Sequence, residues 1–495
     1  MIKMNQIDTE ISPRRYCFDI SGIIDFLANN GRYTGIQRVV VMAAWSFYEV
    51  LPSEEKAHVF VGFYDRVVDQ YRCIPFCQIC DSIKNADLLA DALSIKAKRL
   101  DKDFFALALL KKYKHNFFKY HFHLWKLDIL AILKRDDKFI KFNTDSDGWK
   151  QIRRGKVENA KETEKVKSTN GSQVLRPGDV LLLLDAAWQL SHSNQFKKMS
   201  RQGIKTLTMV HDLIPLKMTA FTDPSIPNGY VNWLLNTSEH TTAYLAVSQN
   251  TCNDLQEFLD ATLDDKEIYV IPLVQGFDHP QPKSSVLGAL TNKIPQSHYS
   301  DFLEVSNIDT SISMYYGTPF ILCVGTLEIR KNPMRLLQAW SQLIERSSGD
   351  IPKLVFAGRI GWLVEDFKYA LEASGNLNGY IDIIEKPSDD ELAFLYRNCL
   401  FTVMPSLYEG WGLPVGESLS FGKTAVISNN SSLPEVGQDL VEYCDPKSVS
   451  SISNAIWKLV SEPENRILLE NKIKNTTLRN WHDVGEDLSK VVRKI

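Results

Sequence analysis

Short apolar runs alternate with stretches of helical period along most of the chain, and they fall into two series. In the first, strands are predicted at residues 15–20, 59–64, 178–185, 205–210, 243–247 and 268–272. The run at 181–184 is apolar without a break, the pattern of a strand buried on both faces. Helices are predicted after Ser21 and Gly22, at 36–45 behind a turn-rich loop (29–35), and from Ser248, a natural N-cap, to Phe258. In the second series, strands are predicted at 320–324, 353–357, 380–384, 400–404 and 424–427, with helices at 333–344, 389–397 and 413–421. The last 45 residues have a helical pattern throughout. Strands that alternate with helices in this way build parallel sheets covered on both faces. The predicted architecture is α/β, with two facing, doubly wound, Rossmann-like domains.

One stretch stands out chemically: Pro405-Ser-Leu-Tyr-Glu-Gly-Trp-Gly-Leu-Pro-Val-Gly-Glu417. An apolar run stops at Pro405, glycines follow at 410 and 412, and Pro414 suits the first turn of a helix that Gly422 can terminate. Glu409 is then expected on the loop and Glu417 one or two turns into the helix. Helix N-termini attract phosphate through free N–H groups, and carboxylates accept from hydroxyls. Together they suit a ligand carrying both, such as a nucleotide sugar. A solvated helix start with two glutamates would produce the same pattern. Ligands of open parallel sheets sit beyond the C-terminal strand ends. Gly35, His211, Asp212, Gly325, Arg330, Lys331 and Arg359 are all expected there, around a single cleft between the domains.

Composition changes this picture little. The chain has 495 residues, 44% of them hydrophobic and 24% charged, and a net charge of −3, so no global field marks a nucleic-acid binder. Its N-terminus lacks the apolar core of a signal peptide, and no apolar run reaches membrane-spanning length, so a cytoplasmic residence is expected. Eight cysteines in this length are not a disulfide framework. Cys73, Cys77 and Cys80 have the spacing of an iron–sulfur loop, but the two open sheets argue against one and no fourth zinc ligand is evident. Asp145-Ser-Asp147 mimics a D-x-D metal motif, yet Asp101-Lys-Asp103 matches as well, and no catalytic metal is expected. Residues 79–176 interrupt the strand–helix rhythm as an insertion. Within it, residues 111–141 hold nine Lys/Arg against three Asp, interleaved with aromatics. Such a segment suits contact with an anionic membrane at the inner face of the cytoplasmic membrane, or an inserted helical hairpin with a solvated basic face.

The second half resembles the retaining, metal-independent glycosyltransferases of family 4 (group 1 type), which have the two-domain GT-B fold. Three motifs carry the resemblance over about 115 residues: Val324-Gly-Thr-Leu-Glu-Ile-Arg-Lys-Asn-Pro333, the E-x7-E stretch from Glu409 to Glu417, and Ser431-Ser-Leu-Pro-Glu435. In the first half, Thr34-Gly-Ile-Gln-Arg-Val39 and Val210-His-Asp-Leu-Ile-Pro215 add to it, while residues 79–176 are not covered. The resemblance implies an acceptor-side domain (1–300), a linker (301–318), a nucleotide-sugar donor domain (319–478) and a C-terminal helix (479–495) packing back on the first domain. It implies that Arg330 and Lys331 clamp the donor diphosphate, beside Gly325, and that Glu417 takes the ribose diol. Glu409 is assigned to the donor sugar or its surroundings, and the backbone of Gly410, Trp411, Gly412 and Leu413 completes the cradle. His211 is the active-site histidine, Asp212 orients it or meets the acceptor, and Gly35 and Arg38 belong to a loop that meets phosphate or acceptor. One departure stands out: many relatives carry arginine where this chain has Thr326.

The motif combination looks like mannosyl- or rhamnosyltransferases of bacterial surface polysaccharides, O-antigen or capsule. The expected reaction moves a hexose, first of all from GDP-mannose, to a hydroxyl of a lipid-linked oligosaccharide or polysaccharide with retention of configuration. A nucleotide-sugar epimerase, a phosphorylase or a non-catalytic nucleotide-sugar scaffold would keep the same cleft.

Overall fold

In the computed structural model, each series of apolar runs builds its own sheet. Described are residues 13–27, 33, 35–65, 70–93, 95, 117–136, 146, 149–150, 175–185, 193–224, 226–277 and 308–495. The first sheet contains β1 (Tyr16–Asp19), β2 (Val59–Asp65), β3 (Gln70–Pro75), β4 (Val180–Leu183), β5 (Lys205–Val210), β6 (Ala243–Ala246) and β7 (Ile268–Val270). Their order is β3-β2-β1-β4-β5-β6-β7. The second contains β8 (Phe320–Val324), β9 (Lys353–Gly358), β10 (Ile381–Glu385), β11 (Thr402–Met404), β12 (Ala425–Ser428) and β13 (Glu442–Cys444), ordered β10-β9-β8-β11-β12-β13. Every pairing is parallel except β2 with β3. In both sheets a central strand reaches its next neighbour on the other side (β1 to β4, β8 to β11), which opens a crevice at the C-terminal strand ends.

The helices that matter for the site are α1 (Ser21–Leu27), α2 (Gly35–Val50), α3 (Phe117–Ile132), α4 (Gln249–Thr262), α5 (Pro333–Arg346), α6 (Glu365–Ala373), α7 (Asp389–Asn398), α8 (Leu413–Ser420) and α9 (Trp481–Lys494). Their ends follow local chemistry. The Ser248 hydroxyl accepts from Thr251 N at the head of α4, and Ser388 with Glu391 forms a capping box on α7. Gly422, at φ +72°, closes α8 in the left-handed region.

One strand of the first sheet departs from the sequence pattern. Strand β3 was not foreseen, because Gln70-Tyr-Arg-Cys-Ile-Pro75 ends in a proline that only an edge strand tolerates. Its Cys73 is buried, with its sulfur 3.5 Å from that of Cys17, whereas Cys77 is exposed, so the three cysteines do not share one site. Of the stretch 301–318, residues 308–318 are described, and Ile308, Ile312 and Tyr315 pack with Phe320, Leu322 and Val355. Of the insertion, α3 and a short helix, Ala86–Ala92, are described, and the two D-x-D candidates lie outside the described residues.

The chain returns to the first domain at its end. Arg479 and Gln275 exchange hydrogen bonds (2.8 and 3.1 Å), and the Arg479 guanidinium reaches the Pro272 carbonyl at 2.9 Å. Helix α9 then lies on α2, where Gly485 is required: a Cβ there would stand 2.5 Å from the Ser46 carbonyl oxygen. Trp481, Val484, Leu488 and Val492 are buried in one apolar cluster with Val39, Leu273, Val274, Trp411 and Val415. At about 1.5–3 kcal/mol per large apolar side chain, this seam is a substantial adhesive between the two halves.

Candidate active site

The loop from Pro405 to Gly412 is irregular and largely buried, so its carbonyls need donors from elsewhere. The next strand and the loop behind it supply them. Ser428 Oγ donates to Ser406 O (2.7 Å), Asn430 Nδ2 to Leu407 O (2.8 Å), and Ser432 Oγ to Glu409 O and Trp411 O (3.0 and 2.8 Å). Ser431 Oγ accepts from Glu409 N at 3.0 Å. The polar residues of the third sequence motif therefore brace the second. Asn332, at φ +64°, ties the loop to the 330s by donating to Pro405 O at 3.0 Å, and Leu407 N donates to Arg330 O at 2.8 Å.

This bracing holds a buried charge network. Glu409 Oε1 meets Lys331 Nζ at 2.6 Å and its Oε2 meets Arg330 Nη1 at 2.7 Å. Arg330 also pairs with Glu328 and donates to Tyr408 O at 2.5 Å. Burial alone would raise the Glu409 carboxyl, but the two cations outweigh it and hold it at about 2. Burial likewise opposes the Arg330 cation, and Glu409 and Glu328 overcome it, so the guanidinium stays charged. Glu409 thus holds both cations, one on each of its oxygens. Gly325, at φ +136°, lies against the Lys331 chain: a Cβ there would be 3.6 Å from Cε.

Glu417 is different. It sits one turn into α8, buried, accepting from Tyr396 Oη at 2.6 Å, with Arg38 Nη1 at 3.9 Å. Burial raises its carboxyl above the usual range, and Arg38 and Tyr396 only partly offset this. Arg38 comes from α2, in the other domain. It also meets Asp389 at 3.1 Å and lies over the Phe277 ring, so it bridges the domains at the mouth of the cleft.

The first domain forms the opposite wall. Gly410 is packed so tightly that a Cβ would stand 2.1 Å from the His211 carbonyl oxygen, which brings the loop against the end of β5. His211 Nε2 shares a hydrogen bond with Leu184 O at 2.8 Å, and burial pushes its imidazole down, so the neutral form dominates at pH 7. Asp212 caps the next turn through Ile214 N (3.0 Å), and burial pushes its carboxyl up against the pull of Arg330. Gly35 faces the side chain of Leu413 at 3.8 Å for an added Cβ, so the heads of α2 and α8 meet across the gap. Gly412, at φ +111°, sets up the head of α8, whose first N–H groups have no helical partner of their own. The indole N–H of Trp411 donates to Val274 O at 3.0 Å, so its ring belongs to the domain seam and only its backbone remains for a ligand.

The structure brings to the site residues to which the sequence motifs assigned no role. Glu328 and Tyr396 hold Arg330 and Glu417, and Glu435 caps α4 from the other domain by accepting from Gln249 N and Asn250 N (2.7 and 2.9 Å). Asp19 and Asp185, at the ends of β1 and β4, are both buried. Burial lifts Asp19 to about 6, against hydrogen bonds from Ser21 and Tyr71. Their position at strand ends was a signal available in the sequence. Among the described residues, no group of three or more His, Cys, Asp or Glu is disposed to hold a metal, and no helix is long and apolar enough to cross a membrane.

Comparison with known proteins bears on this geometry. Residues 307–477 match the family described as Glycosyl transferases group 1. The O-antigen chain mannosyltransferase B of Escherichia coli is 39% identical over 143 residues, covering 29% of this chain and 37% of that protein. The serotype-specific mannosyltransferase WbdA of E. coli is 25% identical over 285 residues, 56% of this chain and 33% of that one. The chain thus spans about a third of the length of these curated relatives. Among solved structures, Anabaena Alr3699/HepE in complex with UDP and glucose superposes with a TM-score of 0.50 at 10% identity, over 98% of this chain and 100% of that one, a likeness in fold. The two Rossmann-like halves are the GT-B arrangement, and residues 307–477 are a group 1 glycosyl transferase domain.

Proposed function

We propose that the protein transfers a hexosyl group from a nucleotide sugar, GDP-mannose first, to a hydroxyl of a surface polysaccharide or its lipid-linked precursor, with retention of configuration. The observation that carries this reading is the Glu409-braced pair Arg330 and Lys331, on the loop that Gly410 packs against His211 and Asp212 of the other domain. Two fixed cations suit a departing diphosphate, because preorganised charge in a low-dielectric site stabilises the negative charge that grows as the bond breaks. The mannosyltransferase names of the relatives favour mannose as the sugar.

In this reading the donor diphosphate lies on Arg330, Lys331 and the N–H groups at the head of α8, and its ribose diol on Glu417. The bond from the anomeric carbon to the leaving phosphate oxygen breaks as the acceptor oxygen bonds to the same face of that carbon. The acceptor proton passes to the departing phosphate. His211, neutral at pH 7, positions the donor sugar by hydrogen bonding, and Asp212 holds the turn beside it. Positive charge at the clamp comes from Arg330 and Lys331, and no metal is required. The basic segment 111–141 would bring the enzyme to the anionic inner face of the cytoplasmic membrane. Within it, the exposed side chains of Trp125, Ile132 and Leu133 accompany that charge.

The test is release of GDP from GDP-mannose in the presence of a lipid-linked acceptor extract, together with the anomeric configuration of the product. The expected result is acceptor-dependent release that Lys331→Ala abolishes and His211→Ala cuts by roughly a hundredfold or more. Turnover of nucleotide sugar alone to an epimer, or unchanged cellular function with both variants, would overturn it.

A further inference from the structure

The loop that leaves the C-terminal end of β9 is held unusually firmly. Leu327 N donates to Arg359 O (2.8 Å), and Gly361 N donates back to Leu327 O (2.7 Å), so the loop runs alongside the segment that carries Arg330 and Lys331. Gly361 has no room for a side chain: a Cβ would stand 2.7 Å from Thr326 Cγ2 and 2.9 Å from Leu327 O. Leu363 sits in the left-handed region at φ +55°, a strained conformation for a leucine, and Val364 beyond it is buried. Between these constraints the chain displays Trp362, which remains 40% exposed, with Leu363 beside it at 44%.

Trp362 is tethered by its polar edge. Its indole N–H donates to Phe221 O of the opposite domain at 3.3 Å. Phe221 ends the segment that begins with His211 and Asp212, so the bond spans the cleft from the clamp side to the acceptor side. An indole with its N–H satisfied and its ring partly open to solvent offers an apolar, electron-rich face in a set orientation. The apolar face of a pyranose, lined with weakly positive C–H groups, complements such a surface. A phosphate or a carboxylate does not.

We propose that Trp362 is a stacking platform for a sugar ring of the acceptor chain, one or more units away from the reacting hydroxyl. It would select an extended neutral glycan over a monosaccharide. This inference rests on the glycosyl-transfer reading for its ligand class, but it is tested by binding without turnover. The experiment titrates full-length protein with manno-oligosaccharides of two and four residues by calorimetry, and separately with GDP. The wild type is expected to bind the tetrasaccharide more tightly than the disaccharide. Trp362→Ala should weaken tetrasaccharide binding by roughly fivefold to tenfold and leave GDP binding unchanged. Trp362→Phe, which keeps a ring and loses the N–H, should retain most of the affinity.

Four outcomes overturn the proposal. They are equal affinity of the wild type for both oligosaccharides, absence of oligosaccharide binding, an unaltered Trp362→Ala protein, and a Trp362→Phe protein as impaired as Trp362→Ala with GDP binding also weakened. The last would make the residue a domain latch. A protein that binds the tetrasaccharide through Trp362 yet turns over no donor would sink the transferase reading and leave this one standing.

Discussion

The two ends of the Pro405–Glu417 turn carry the same residue type in opposite electrostatic settings. Glu409 is 6% exposed and Glu417 8%, so burial does not separate them. Neighbours do. Glu409 has a cation on each oxygen, and its carboxyl is held at about 2. Glu417 has a tyrosine hydroxyl and a distant arginine, and its carboxyl is raised. One end is a finished ion network, with Arg330 and Lys331 set against Glu409 and Glu328. The other is a carboxylate held in poor surroundings, with accepting capacity left for a hydroxyl-bearing ligand. A signature that reads as a matched pair is a division of labour.

The comparison can be broken from the Arg330 side first. Arg330→Ala leaves Glu328 and Glu409 buried with a cation removed, and is expected to cost about 3–5 kcal/mol of stability in urea unfolding, besides transfer activity. A loss under about 1 kcal/mol would mean that the network is solvated. Next comes Glu409→Gln, with an expected loss of about 3 kcal/mol at pH 7. The folded carboxyl lies below its ordinary value of 4.5, so its stabilisation is present above that value and fades as pH falls towards 2. The gap between wild type and Glu409→Gln should therefore close between about pH 5 and pH 2.

Glu417→Gln should behave in the reverse sense. A raised carboxyl means that ionisation opposes folding, so stability falls as pH climbs past 4.5 and the amide variant escapes that loss. At pH 7 the variant is expected to be as stable as wild type or up to about 1 kcal/mol more stable, while its donor KM rises roughly tenfold. Equal destabilisation by both glutamine variants would erase the distinction between the two ends. The smallest expected effect is that of Arg38→Ala. Its half-exposed pairing with Asp389 contributes at most about 1 kcal/mol, and raising salt should mimic the substitution in thermal melts.

Strands β8 to β12 and helices α5, α7 and α8 of the second domain were legible, because the strands are buried runs with helices of clear period between them, whereas α6 was not predicted; Phe320–Val324 falls where the run predicts it. Strand β13 was missed, since Glu442-Tyr-Cys444 carries too little pattern for any local rule. In the first domain β3 escaped because its pairing with β2 is antiparallel and its cysteine invited a motif reading. The candidate residues came from strand-end position and from motif resemblance. Of the partners that tune them, Glu328 lies two positions from Arg330 within a motif, whereas Tyr396 lies 21 positions from Glu417 and bore no spacing signal.

What the sequence determined by itself was the alternation of elements, the caps that bound them and the chemistry available at the strand ends. These depend on residues within a few positions of one another, where propensity and periodicity act. Only the tertiary structure decided which charge meets which. Glu409 lies 78 positions from Lys331 and Gly410 meets the His211 carbonyl from another domain, so their pairing is set by sheet order and by the seam that Trp411 and α9 close. A carboxyl's charge state is a property of its surroundings, and the surroundings of Glu409 and Glu417 exist only once both domains are folded together.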